Sequence, residues 1–113
     1  MSDAIVRSFY RAAKHYPPKD DAYLTLQDRK GDPPADYPEA VKRSWDALSA
    51  FDSEQGVREA TEEAPHIGKL IVRFDVPEGA GVTWEQTGPP GHYDLRGDMG
   101  FLKRCLTDFV AKV

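Results

Sequence analysis

Apolar and polar positions are most regularly spaced in the second half of the chain. From Lys69 to Val76, Leu70, Val72, Phe74 and Val76 alternate with Lys69, Ile71, Arg73 and Asp75, the two-residue period of a strand with one face on a core. Pro77-Glu78-Gly79-Ala80-Gly81 reads as a turn, Val82–Gln86 as a second strand, Gly88-Pro89-Pro90-Gly91 as a second turn and His92–Arg96 as a third strand. The period then changes. Phe101, Leu102, Cys105, Leu106, Phe109, Val110 and Val113 fall on one stripe of a helical wheel, and Asp98 stands where a cap is needed. The spacing predicts an amphipathic helix over Met99–Val113.

The first half is less regular. Ala4–Ala13 predicts a strand with Ile5, Arg7, Phe9 and Arg11 on one face and Val6, Ser8, Tyr10 and Ala12 on the other. Pro17-Pro18 ends it, because proline has no N–H for a ladder. Lys19–Lys30 reads as a short helix, Gly31–Pro34 as a loop, and Pro38 as the opening of a helix through Arg43. Asp46–Phe51 reads as a short buried strand. Asp52 offers an N-cap, and Gln55 completes a capping box for a helix that carries Val57, Ala60 and Ala64 up to Pro65. The order predicts one α+β domain over residues 1–113: a small, mostly antiparallel sheet, a helical middle segment and a C-terminal amphipathic helix. The three successive strands on short turns are expected to be neighbours in the sheet.

Composition narrows the function classes. The 113 residues are 40% hydrophobic and 30% charged, the balance of a folded chain. A formal net charge of -4 argues against non-specific nucleic-acid binding, which requires a basic field, although it leaves room for a local basic patch. No run has the length of a membrane span, and the first residues carry neither a basic nor an apolar signal region. With one cysteine, Cys105, there is no intrachain disulfide. A cytoplasmic protein without a membrane segment is expected.

Several residues carry candidate chemistry. Glu85 points away from Val82 and Trp84 on its strand; it is either a catalytic carboxylate or part of a solvated face. His92 and Asp94 share a strand face and suit acid–base work, but His15 and His66 stand at no ligand spacing, so no metal is expected. Cys105, inside the apolar stripe, reads as a small hydrophobe and not a nucleophile. Arg7 and Arg11 lie on one face of the first strand, as phosphate ligands or as edge charges. Ser49 is either a small packing residue or a polar group in a cleft.

The segments Phe9-Tyr10-Arg11-Ala12, Trp45 to Ser53, Gly68 to Gly79, Val82 to Thr87 and Gly91 to Asp98 resemble a group of small bacterial proteins of unknown function. The order of elements also resembles a minimal ADP-ribosyltransferase-like fold. That resemblance implies NAD as substrate, Arg11 as the first-strand residue that holds it, Ser49 as the serine lining the nicotinamide pocket, and Glu85 as the catalytic glutamate. An NAD-cleaving site also needs an aromatic surface for the nicotinamide, which Tyr10 or Trp84 is expected to supply, and His92 is a further candidate substrate contact. The family's Ser-Thr-Ser pattern is here Leu48-Ser49-Ala50, and its Glu-x-Glu pattern does not occur. The second expectation is a non-catalytic interaction module with a protein partner, such as a toxin–antitoxin or phage-defence component. A cleft shared by Arg11, Ser49 and Glu85 would favour the first.

Overall fold

The computed structural model describes residues 5–113, so Ala4, where the sequence places the start of the first strand, lies outside the described residues. Six strands, β1 (Val6–Ala13), β2 (Leu48–Phe51), β3 (Leu70–Pro77), β4 (Val82–Gln86), β5 (His92–Gly97) and β6 (Leu106–Lys112), form one sheet in the order β4-β5-β2-β1-β3-β6. Every pairing among them is antiparallel. The helices are α1 (Leu26–Lys30), α2 (Glu39–Arg43), α3 (Glu54–Glu63) and α4 (Met99–Arg104), with 3-10 turns at Asp20–Tyr23 and Pro65–Ile67. The fold is α+β.

The β1–β3 ladder runs the full length of both strands, whereas β1 meets β2 at the single register pair Tyr10–Phe51. At that narrow joint the sheet folds back on itself. Phe9 of β1 packs against Trp84 of β4 and Tyr93 of β5, with ring centroids 5.4 Å apart in both cases, although two strands separate β1 from β4 in the ladder order. The inward face holds the core: Phe9, Leu48, Ala50, Val72, Phe74, Val76, Val82 and Leu95 are all buried. Leu102 of α4 and Tyr23 close it. Burial of side chains of this size contributes about 1.5–3 kcal/mol each. On the outward face α3 lies along β1 and β2 and buries Val57.

Four expectations are corrected. The C-terminal amphipathic helix stops at Arg104, and the rest of the chain is β6 paired with β3. Two register shifts explain the misleading period. Leu106, Phe109 and Lys112 pair with Phe74, Val72 and Leu70, so residues three apart in β6 meet residues two apart in β3. Thr107 and Val110 are the extra residues, and the bulges turn a strand period into one that mimics a helix. β3 gains a ladder on the edge away from β1, which satisfies backbone groups that would otherwise stand open there.

The Lys19–Lys30 helix is broken at Thr25. Its Oγ1 accepts from the Asp28 N–H at 3.1 Å and its own N–H donates to Asp28 Oδ2 at 3.0 Å, a reciprocal cap that starts α1 afresh. The N-cap of α3 is Ser53, not Asp52, because the Asp52 N–H extends the ladder of β2 by donating to the Gly91 carbonyl at 2.9 Å. Finally, β3 is not a neighbour of β4; the turn between them crosses from one half of the folded sheet to the other. The β4–β5 hairpin, the Pro38 helix start and the Asp98 cap stand as the sequence predicts.

Candidate functional site

Beyond the Tyr10–Phe51 joint, β1 and β2 part. The gap is walled by the chain after β1, by α1 and α2, by the Pro65–Ile67 turn and by the β4–β5 turn, giving a cleft of about 1190 Å³. Trp45 holds the middle segment in place. Its Nε1 donates to the Gly31 carbonyl at 2.7 Å, its carbonyl accepts from the Gln27 N–H at 3.0 Å, and its ring packs edge-on to Tyr37.

Arg11, Ser49, Glu85 and His92 all line this cleft. Arg11 spans the parting: Nε donates to the Ser49 carbonyl and Nη1 to the Ala22 carbonyl, each at 2.8 Å. Burial, together with the nearby Arg29, holds its guanidinium down at about 10, against an opposing pull from Tyr23, so it stays charged at neutral pH. Its Nη2 makes no hydrogen bond among the described residues. Ser49 stands opposite Asp94 in the β2–β5 ladder, and Glu85 stands opposite Asp94 in the β4–β5 ladder. Ser49, Asp94 and Glu85 are therefore one row across three strands, on the outward face.

His92 sits two residues along, opposite Phe51, with ring centroids 5.2 Å apart. Its Nδ1 lies 2.9 Å from the Thr87 carbonyl, which can only accept, and 3.2 Å from the Thr87 hydroxyl, so the ring is held by Nδ1 and its Nε2 makes no hydrogen bond among the described residues. Asp94, the middle of the row, is buried. Its Oδ2 accepts from Ser44 Oγ at 2.6 Å and its Oδ1 has no partner among the described residues. Arg96 joins the same strand to the end of α2 through Asp46 Oδ1 at 3.1 Å and the Arg43 carbonyl.

The remaining expected contacts lie elsewhere. Trp84 points to the inward face, where it packs on Phe9, and Tyr10 is not part of the cleft lining. Arg7 does not join Arg11; it donates to the Tyr93 hydroxyl at 2.9 Å and lies over the Tyr93 ring. The aromatic surface at the cleft is Phe51. The alternation rule identifies it, since it is two residues beyond Ser49 on the same strand.

Charge is the other property not read from the sequence. Arg11, Lys14, Lys19, Arg29, Lys30 and Arg43 line the cleft against two carboxylates, Asp21 and Glu85, in a chain of net charge -4. The ion pairs among the described residues involve none of the six. All three histidines, His15, His66 and His92, line it as well. These side chains come from separate segments, so no local spacing announces them. No group of three or more metal-ligating side chains is present among the described residues, and no helix there is long and apolar enough to cross a membrane. Comparison with family models, with curated proteins and with solved structures finds no match to this chain.

Proposed function

We propose that this domain binds NAD in the β1–β2 cleft and cleaves its nicotinamide–ribose bond, as an ADP-ribosyltransferase or NAD glycohydrolase. The observation that supports this reading is that Arg11, Ser49 and Glu85, from three different strands, line one cation-rich cleft. A dinucleotide needs cations for its pyrophosphate, an aromatic surface for its base and a carboxylate for positive charge developing on ribose. Arg11 and Arg29 supply the first and Phe51 the second.

Glu85 supplies the third. The bond between ribose C1′ and the pyridinium nitrogen breaks heterolytically, and nicotinamide leaves as a neutral base with the electron pair. The Glu85 carboxylate stabilises the cationic ribose until water or an acceptor adds at C1′ and releases its proton to Glu85 or solvent. His92, at the aromatic end of the row, is a further polar contact for the ligand.

The test is incubation of the purified chain with NAD and chromatographic detection of nicotinamide. Release is expected, and Glu85→Gln should slow it by about 100-fold without lowering the melting temperature. No release, together with no NAD-induced thermal shift, rules the reading out.

A further inference from the structure

The cleft has an annex. A recess of about 320 Å³ is lined by Lys14, Pro65, His66, Gly68 and Lys69, and it shares Lys14 and His66 with the main cleft. Its construction is specific. The chain leaving the Pro65–Ile67 turn crosses the end of β1 so closely that a Cβ on Gly68 would come within 2.5 Å of the Ala13 carbonyl oxygen, and Gly68 has φ 152°. Only glycine fits that crossing. The next residue is tied down where it passes: the Lys69 N–H donates to the Ala13 carbonyl at 3.2 Å. Two lysines and a histidine are thereby gathered from β-strand ends and a turn, and no carboxylate among the described residues lines the recess.

Two lysines and a histidine lining a small open hollow, with no acid lining it among the described residues, match a compact dianion, since each ammonium is a point-charge partner for phosphate oxygens. The cation count of the whole cleft agrees. NAD brings the charge of its pyrophosphate, partly offset by its own pyridinium, to six cations and two carboxylates. A ligand with one more phosphate would balance the site better.

We infer that the recess lined by Lys14, His66 and Lys69 holds a phosphomonoester, so that the cleft prefers a dinucleotide with a third phosphate on one ribose over the dinucleotide without it. This rests on the dinucleotide reading above. The test is calorimetric titration of the full chain with NADP and with NAD at low ionic strength. NADP should bind about tenfold more tightly.

Lys69→Glu, at a residue that lines the recess and not the main cleft, should abolish that ratio. Inorganic phosphate should weaken NADP binding towards that of NAD. Equal affinities, or a preference that survives Lys69→Glu, overturn the inference and leave the NAD reading standing. Phosphate that competes equally with both dinucleotides also overturns it. Failure of both dinucleotides to bind removes the two readings together.

Discussion

Asp94 shows how a single residue can matter without lining the cleft. Its side chain is about 1% exposed, yet its hydrogen bonding comes down to one hydroxyl, Ser44 Oγ, with Arg96 Nη2 3.9 Å away. A buried carboxylate with one empty oxygen is costly, and removing its remaining close partner costs more than removing both. Ser44→Ala should therefore lower stability by about 1–3 kcal/mol in urea unfolding, and adding Asp94→Ala should recover part of the loss. Strict additivity of the two changes would show that the Ser44–Asp94 bond has no such role. The pair also explains why His92 and Asp94, alternate residues on one strand face, do not act as a couple. The histidine turns to Thr87, and the aspartate is used to pin the end of α2 to β5.

At the level of elements, the C-terminal segment is decided by competition. Met99 to Arg104 forms a capped helical turn, with Asp98 Oδ1 accepting from the Gly100 and Phe101 N–H groups. After Cys105 the chain has both an apolar stripe suited to a helix and the residues Thr107, Phe109 and Val110, which suit a strand. The unpaired outer edge of β3 favours the strand. Val110→Ala separates the two outcomes, since alanine favours helix. The strand predicts a loss of about 0.5–1 kcal/mol and no gain in helical circular dichroism. A stabilised, more helical variant would contradict β6. The Lys19–Lys30 segment illustrates the same point in a helix. Its propensity was readable, but the Thr25–Asp28 cap and the grip of Trp45 on Gly31 divide and seat it.

For the whole molecule, charge is sorted by place. The chain is acidic overall, and its cleft is basic. Concentrating unpaired cations in a cavity raises the local potential and draws anions to it, an effect that salt screens over about 10 Å at 0.1 M and about 3 Å at 1 M. NAD-induced stabilisation should therefore shrink as sodium chloride is raised from low to molar concentration, as a thermal-shift series would record. Stabilisation that is insensitive to salt would mean that binding does not draw on these cations. The cleft exists because the sheet folds at one residue pair, Tyr10–Phe51, and β1 and β2 separate beyond it. Nothing in the two strand sequences marks that joint.

The sequence by itself determined the local elements whose signals are local. These include the alternation in β3, the β4–β5 hairpin between its glycine and proline turns, the Pro38 and Asp98 helix starts, and the α+β class that follows from them. It also offered Arg11, Ser49 and Glu85 through the resemblance, and His92 through the strand face it shares with Asp94. Tertiary structure alone decided the rest. The order of strands, the conversion of the C-terminal stripe into β6 and the gathering of cations from distant segments depend on which backbone edges and charges meet in space, and contacts of that kind leave no period along the chain.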